Sequence, residues 1–218
     1  MNLTEFNRQL AKKQRELETL IRRRLPVMVG NMAKGHYQDN IRQEGFTNNG
    51  VKPWQKTRRQ QSGSKSAAAN YGALLSSKKH LYSSIKSIPS DYRVKVANDL
   101  VYAPVHNWGG TVSPTVTKQM RKFAWAMYYK EKNVMEAAKV KSGKVRGKSE
   151  KSENRRKKWD NASKNASDNA QKWKALALTK KTKLNVKIPQ RQFLGESREL
   201  NDDIRKTVDN EIRNIIKK

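Results

Sequence analysis

The sequence predicts an α+β fold, with a small antiparallel sheet, N-terminal and C-terminal helices, and an inserted basic helical hairpin. Three observations predict it. Apolar residues recur at helical spacing at both ends of the chain, segments of period two lie between them, and a long lysine-rich helical stretch interrupts the last strands. We assign 1–117 and 184–218 to a single α+β domain and 118–183 to the inserted hairpin.

The helices at the two ends of the chain follow from apolar spacing. A first helix is predicted over 3–25, with Thr4 as an acceptable N-cap. Pro26 suits the first turn of a second helix, which we expect to extend to about Glu44. A final helix is predicted from a one-sided apolar stripe formed by Leu200, Ile204, Val208, Ile212 and Ile215.

Residues 45–70 are predicted to be loop, because an Asn-Asn-Gly turn signal, Pro53 and the Ser/Gly/Lys/Ala run 62–69 all argue against regular structure. Trp54 stands alone among polar residues there. We expect it to anchor the loop to the body of the domain, with an exposed subunit contact as the alternative.

The strands are predicted from alternation and from turn residues. A short helix leading into a strand is expected over 71–89, and Tyr92, Val94 and Val96 define one face of a half-buried strand. The apolar run 100–106 predicts the next strand, which Pro104 ends, bulges or confines to an edge. Gly109-Gly110 predicts a turn, and the remaining strands are expected at 111–117 and 184–188.

The inserted segment is predicted to be two helices over 118–178, joined by a Gly/Ser/Lys connector over 140–152. Residues 117–183 hold 21 Lys+Arg and 6 Asp+Glu, a surplus of 15, which is about half of the formal net charge of +29. The residues expected to lie near a polyanion such as DNA are Lys144, Arg146, Lys148, Arg155, Arg156, Lys157 and Lys158.

Composition excludes several classes of function. A net charge of +29 implies a polyanionic neighbour, which could be nucleic acid, an acidic protein surface or anionic lipid. The absence of cysteine excludes disulfides and thiolate catalysis, and the three histidines have no ligand-like spacing, so neither a metal nor a cofactor is expected. No apolar run resembles a signal peptide or a membrane span, so we expect a soluble protein used without export and no membrane partner.

The sequence shows no catalytic constellation. It contains neither a Gly-x-Ser-x-Gly elbow nor a phosphate-binding Walker loop. His106 could serve as a general base, but no nucleophile, metal ligand or carboxylate is near it in sequence. We therefore predict no catalytic residue and no enzyme, and expect His106 to be hydrogen-bonded at a sheet corner or a subunit contact.

Four stretches, in order, resemble the phage virion morphogenesis proteins, also called tail-completion or neck proteins of tailed bacteriophages. Residues 35–58 resemble the family's loop after its N-terminal helices, and 74–85 resemble its "L…SI" segment. Residues 102–111, Tyr-Ala-Pro-Val-His-Asn-Trp-Gly-Gly-Thr, are similar to its "YA-x-x-H-x-x-GG" signature. Residues 188–195, Ile-Pro-Gln-Arg-Gln-Phe-Leu-Gly, are similar to its "IPxRxFLG" signature.

The resemblance covers roughly 30–118 and 184–218 and leaves out the basic hairpin. It implies a structural, non-catalytic subunit of a virion tail or neck, assembled in the host cytoplasm as a homo-oligomeric ring, a hexamer or dodecamer, through which DNA passes. It also implies contacts with neighbouring neck and tail-tube proteins. The residues it marks as signature or subunit-contact positions are Tyr102, His106, Trp108, Gly109, Gly110, Arg191, Phe193, Leu194 and Gly195. Trp108 is expected to be the packing anchor of this corner.

Two other classes of function stay open at the level of sequence. One is a nucleic-acid-binding protein, such as a packaging or RNA-associated factor, which acts through the basic hairpin. The other is a basic enzyme acting on a polyanion, for which no acid, base or metal set is visible.

Overall fold

The computed structural model describes residues 2–61 and 67–217, which form two compact units. The α+β unit comprises Met1–Thr111 and Lys187–Lys218, and the hairpin unit comprises Val112–Val186. The mixture of helices and small antiparallel sheets confirms the α+β class. The elements are α1 Leu3–Thr19, α2 Leu25–Arg42, β1 Gly45–Thr47, β2 Val51–Pro53, α3 Arg58–Gln61, α4 Ala67–Asn70, α5 His80–Ser83, β3 Ile85–Ser90, β4 Arg93–Asn98, α6 Ala103–Trp108, β5 Gly110–Val112, α7 Lys118–Gly143, α8 Glu150–Leu178, β6 Val186–Ile188 and α9 Arg198–Lys217.

The first two predicted helices are joined by a π-helical turn, Leu20–Arg24, instead of being separated at Pro26. Proline has no amide hydrogen, and inside a helix its ring clashes with the carbonyl four residues earlier, here that of Arg22. A wider turn at this point relieves the clash. The N-cap of α1 is Asn2, whose side chain accepts from the amide of Thr4, so the sequence prediction of Thr4 as the cap was wrong.

The carbonyl of Arg22, deprived of its α-helical donor, accepts a hydrogen bond from outside the helix. The backbone N–H of Tyr92 donates to it at 3.0 Å. Beside this bond, the Arg22 guanidinium forms an ion pair with Asp91, with 2.7 Å between Nη2 and Oδ2. The π-turn is therefore fastened to the tip of the β3–β4 hairpin.

The β3–β4 hairpin is antiparallel over its whole length, from the pair Ile85 and Asn98 to the pair Ser90 and Arg93. This confirms the predicted strand around 92–97. Helix α2 packs on it so closely that a Cβ at Gly30 would lie 2.0 Å from the hydroxyl of Ser87. A larger residue at position 30 would force the side chains of Ser87 and Val94 to move.

Part of the predicted loop 45–70 is regular structure. Strands β1 and β2 form an antiparallel hairpin in which Thr47 is opposite Val51, and the turn signal 48–50 connects them. The rule that Asn and Gly tolerate positive φ, which argues for a turn, also argues for a tight hairpin. Short helices follow at α3 and α4, and residues 62–66 of the predicted loop lie outside the described residues.

The predicted strand over 100–106 was wrong, because this segment leads into helix α6. Pro104 lies in the first turn of α6, where its fixed φ favours a helix and its missing N–H costs nothing. A short apolar run has no period that distinguishes a buried strand from a buried helix. The structure also has separate two-stranded sheets, β1–β2, β3–β4 and β5–β6, where the sequence predicted one small sheet.

The α+β unit has two apolar clusters. The larger consists of Ile41, Leu81, Ile85, Ala103 and Phe193, with Trp54 packed against it, which confirms the predicted anchoring role of Trp54. The smaller joins the π-turn region to α9 through Leu20, Leu25 and Ile215. The predicted stripe of the final helix is confirmed, since Val208 and Ile212 pack on this second cluster and Leu200 is buried.

The hairpin unit consists mainly of α7 and α8, as predicted, with a shorter connector than expected because α7 extends to Gly143 and α8 begins at Glu150. Thr117 and Ser149 cap the two N-termini through their hydroxyls. The side chains buried in these helices are small: Ala124, Ala138, Ser142, Ser163, Ala166, Ala170 and Ala177. The predicted strand 111–117 is reduced to β5 and a single bridge between Thr115 and Lys183.

Candidate functional site

The two signature segments, about 80 residues apart in sequence, lie side by side in the α+β unit. The backbone N–H of Arg191 donates to the carbonyl of His106 at 2.7 Å. The side chain of Gln190 donates to the carbonyl of Asn107 at 3.2 Å. A Cβ at Gly109 would lie 3.1 Å from the backbone nitrogen of Gln190, and Gly109 has a φ of +73°. Close approach and positive φ both require glycine there.

Asn107 is the residue that joins these segments most directly. Its Oδ1 accepts hydrogen bonds from the backbone N–H groups of Phe193 and Leu194, both at 2.9 Å. Asn107 itself is 4% exposed. A buried backbone N–H needs a partner, and no strand pairs with 190–195 to provide one among the described residues. The side-chain amide of Asn107 therefore supplies the hydrogen-bond acceptor that a neighbouring strand supplies in a β-sheet.

Three further side chains hold the carbonyl groups of the same segment. Asn40, fully buried in α2, donates to the carbonyl of Phe193 at 3.2 Å. Trp54 donates through Nε1 to the carbonyl of Gln192 at 3.0 Å, and the hydroxyl of Tyr37 donates to the carbonyl of Gly195 at 2.9 Å. We call Gln190–Gly195, held in this way, the clamped segment. Its backbone is fixed by side chains from α2, α6 and the residue after β2.

Sequence reasoning did not single out Asn40 or Asn107 as important. For Asn40 a signal existed, because asparagine is a poor helix former and residue 40 lies in the predicted second helix, next to an apolar position. An asparagine in such a place usually has a specific hydrogen-bonding task. For Asn107 none existed, because the helix around it was not predicted.

His106 and Arg191 form the charged part of the site. Arg191 is 7% exposed and donates through Nη2 to the carbonyl of Gln55 at 3.1 Å, and burial lowers the pKa of its guanidinium. Burial lowers the pKa of His106, and the positive charge of Arg191 lowers it further. Burial and a cationic neighbour both favour the neutral imidazole.

The sheet-corner hydrogen bond expected for His106 is not made by Nδ1 within the described part of the chain, and the alternative, a subunit contact, stays a prediction. Its Nδ1 is buried without a hydrogen-bond partner among the described residues, and its ring meets Tyr102 edge to face with 6.0 Å between centroids. His106 also lies in α6 rather than at a sheet corner. A neutral imidazole packed on a tyrosine and facing a guanidinium has a packing role in this geometry.

The predicted role of Trp108 as a packing anchor was also wrong. Trp108 is 67% exposed, and the residues at the other end of α6, Val101 and Tyr102, are 96% and 43% exposed. Phe193, fully buried, is the anchor of this region. The signature residues therefore divide into an inner set that fixes the clamped segment and an outer set of apolar side chains that face solvent.

The seven basic residues predicted to lie near a polyanion share the turn end of the hairpin unit. Lys144, Arg146 and Lys148 belong to the connector, and 155–158 follow in the first turns of α8; all seven are exposed. Arg156 donates to the carbonyl of Val145 at 3.2 Å, which holds α8 to the connector. Within residues 2–61 and 67–217, none of the seven is in an ion pair. We call this group the basic tip.

Trp159 orders one side of the basic tip. The ammonium groups of Lys141 and Lys158 lie 4.7 and 5.9 Å from its ring centroid, at cation–π distance. Consecutive helical residues point about 100° apart, so 155–158 surround the start of α8 instead of forming one face. Such a distribution suits contact with a charged backbone and does not suit the reading of bases.

Neither unit shows a site for metal chemistry in the part of the chain that the structure describes, where no three His, Asp or Glu side chains are grouped to hold an ion. None of the helices formed by those residues combines the length and apolar character needed to cross a membrane. Comparison of the chain with family models, with curated proteins and with solved structures found no match.

Proposed function

We propose that this chain is a structural, non-catalytic subunit of a tailed-phage virion, a neck or tail-completion protein that forms a homo-oligomeric ring through which DNA passes. The observation that carries the proposal is the clamped segment. Two segments that resemble the family's signatures, in the family's order, are joined by Asn107 and by the carbonyl of His106 into one hydrogen-bonded corner. A corner fixed by backbone hydrogen bonds suits a structural role.

The outer signature residues Tyr102 and Trp108, together with the adjacent Val101, suit a contact between neighbouring copies in such a ring. Val101, Tyr102 and Trp108 are exposed around a helix whose inner side is fixed. Large apolar side chains on a rigid support are typical of interface anchors, because little entropy is lost when they become buried. In this proposal the ring also contacts neighbouring neck and tail-tube proteins.

The ring proposal is tested by light scattering and negative-stain imaging of the purified protein, alone and mixed with phage tails. We expect rings, free or on tail ends. Trp108→Ser should abolish them while changing the free energy of unfolding by no more than about 0.5 kcal/mol, since the side chain is largely exposed. The control is Tyr129→Ser, which removes a comparably exposed aromatic from α7. A protein that stays monomeric and does not join tails would refute the proposal.

A second candidate function, nucleic-acid binding through the hairpin unit, is favoured by the basic tip. Seven exposed cations at one end of a helical pair, none of them in an ion pair with a described residue, would release counterions from a phosphate backbone. In the ring proposal the same residues lie against the DNA that passes through. In the alternative they bind DNA or RNA in a packaging role without any ring.

The tip is tested by the salt dependence of binding to duplex DNA. Replacing Arg155, Lys157 and Lys158 with Gln should reduce the slope of log K against log salt by up to about 2.7, since each lost phosphate contact contributes about 0.9. Arg156 is kept because it holds the connector. The matched control replaces Lys164, Lys172 and Lys174, three exposed lysines further along α8, and removes the same charge. Equal slopes for both triple variants would show that the tip has no special role.

A further inference from the structure

Helix α1 carries an apolar seam of a kind that normally meets another helix. The seam positions Leu3, Phe6, Leu10, Lys13, Leu17 and Leu20 are separated alternately by three and four residues. This spacing keeps a narrow line of side chains facing one partner helix, as in coiled coils. Lys13 is the one polar residue in the line.

The second half of the seam already has its partner. Leu17 and Leu20 pack in the cluster that includes Ile212 and Ile215 of α9. The ammonium of Lys13 donates to the carbonyl of Ile216 at 2.7 Å. Lys13 thus contacts the last described turn of α9.

The first half of the seam, on the N-terminal side of Lys13, is largely exposed; we call it the bare seam. Leu3, Phe6 and Leu10 are 74%, 51% and 51% exposed, and no residue of α1 is buried. Ile216 is 56% exposed. It follows Ile212 by one helical turn and therefore continues the apolar stripe of α9. Four large apolar side chains are left uncovered where the two helices part.

The residues that flank the bare seam are uncharged. Asn7, Gln9 and Gln14 occupy the positions beside it, whereas Arg8 lies on the opposite side of the helix, within 3.9 Å of Glu5. Flanking charges select the partner of a coiled coil, and like charges there keep copies apart. In a chain of net charge +29, a seam with neutral flanks is the place where a second copy can approach.

We propose that two copies of this chain pair through the bare halves of their α1 helices, in antiparallel orientation. A parallel partner would extend alongside the position that α9 already occupies and would place Lys13 against Lys13. In the antiparallel pair Phe6 faces Leu10 of the other copy, and Leu3 reaches Lys13 and Ile216. The overlap of residues 3–13 is about 15 Å long, so the pair is short and its formation depends on concentration.

This pairing does not rest on the proposed ring. A two-fold contact uses the same surface on both copies and closes a dimer, whereas a ring needs a second, heterologous surface. Rings without α1 pairing would refute only the pairing, and dimers that neither form rings nor join tails would refute only the ring.

Disulfide cross-linking tests the proposal directly, because the natural chain has no cysteine. A mixture of Phe6→Cys and Leu10→Cys chains should give a mixed disulfide dimer under mild oxidation, since facing residues of paired helices come within the Cα–Cα distance of about 5.5–6 Å that a disulfide prefers. Leu3→Cys alone should not cross-link, because the two copies of residue 3 lie about 15 Å apart along the axis. Arg8→Cys, on the opposite side of the helix, measures the background of disulfides formed by random collision.

Sedimentation equilibrium supplies the second measurement. Leu10→Glu should weaken dimerisation about a hundredfold or more, because the symmetric contact loses the side chain twice, and Leu10→Met should keep it. The change is on an exposed position, so circular dichroism should be unaltered. Efficient cross-linking of Leu3→Cys alone would overturn the antiparallel arrangement. A wild-type chain that stays monomeric, with no mixed disulfide above the Arg8→Cys background, would overturn the pairing itself.

Discussion

The α+β unit and the hairpin unit are stabilised in opposite ways. The α+β unit fills its centre with large side chains such as Ile41 and Phe193 and fixes an irregular segment with buried amides. The hairpin unit buries alanine and serine, so its two helices pack closely with little apolar volume between them. The α+β unit therefore depends on large buried side chains that fill its core. The hairpin unit depends on small buried side chains that let its two helices approach closely.

Charge is distributed just as unequally. Residues 117–183 carry a surplus of 15 basic residues, about half of the net charge of +29 in under a third of the chain. A pair of helices with small buried residues can carry this charge on its outer faces, because the charges stay solvated. Because the α+β unit depends on large buried side chains and the hairpin unit on small ones, the two units should respond differently to substitution. Truncating a buried side chain should lower the free energy of unfolding most in the α+β unit, and enlarging one should lower it most in the hairpin unit.

The largest effect is expected for Phe193→Ala. Removing this fully buried ring should lower the free energy of unfolding by about 3–5 kcal/mol, because it loses the transfer free energy and leaves a cavity. Urea denaturation of the full chain measures it. Phe123→Ala is the matched control in the hairpin unit: the residue is 55% exposed and its ring meets that of Trp173 edge to face, so a loss of about 1 kcal/mol is expected. Similar losses at both sites would remove the contrast.

Asn107→Ala should be the next most harmful change, at about 3 kcal/mol. It leaves the backbone N–H groups of Phe193 and Leu194 buried without an acceptor, and each such group costs about 1–3 kcal/mol. Hydrogen exchange should accelerate at those two amides first. Asn161→Ala, at an exposed position of α8, should change neither measurement. Unchanged exchange at 193 and 194 in the Asn107 variant would contradict the clamp.

Ala166→Leu tests the hairpin unit with the opposite kind of change. A larger side chain between closely packed helices should cost about 1–3 kcal/mol through strain. Ala175→Leu, the same substitution at an exposed position of α8, should be neutral because leucine is also a good helix former. If Ala166→Leu were stabilising, the interface would have to contain unfilled space.

The smallest effect is a pH dependence that arises in the α+β unit. Burial lowers the pKa of His106 in the folded state below its ordinary value of about 6.5. As the pH falls below about 6.5, the unfolded chain binds a proton that the folded chain does not, so stability decreases until the folded pKa is passed. Urea midpoints between pH 7.5 and 5.5 should fall.

The share of His106 in this pH dependence is isolated by substitution. His106→Asn should make the urea midpoints less dependent on pH, while part of the dependence stays because burial also lowers the pKa of His36. A wild-type slope in His106→Asn would exclude His106 as a contributor.

Elements with long, regular patterns could be predicted from the sequence, and short or irregular ones could not. The five-residue stripe from Leu200 to Ile215 identified α9, and alternation around Val94 identified β4. The strand predicted over 100–106 was wrong because so short an apolar run has no period that distinguishes a strand from a helix. The β1–β2 hairpin was missed because its strands are three residues long and β2 is exposed.

The candidate site could be predicted as a set of residues but not as an arrangement. The signatures marked Phe193 and Gly109, both of which the structure requires on steric grounds. The exposure of Trp108 could not be read from sequence, because a tryptophan beside a glycine turn is equally compatible with an anchor and with an outward contact. The tasks of Asn40 and Asn107 depend on which distant backbone groups fold against them, and local patterns do not carry that information.

The π-turn also sets the rotational phase of α1. A residue added to or removed from a helix turns everything before it by about 100° about the axis. Pro26 and the donor from Tyr92 together select the wide turn, so they determine that Leu17 and Leu20 face α9 rather than solvent. In Pro26→Ala the new N–H of residue 26 would restore an α-helical donor for the Arg22 carbonyl, to which Tyr92 now donates. Pro26 thus influences the rotational orientation of the whole of α1, although it lies outside that helix.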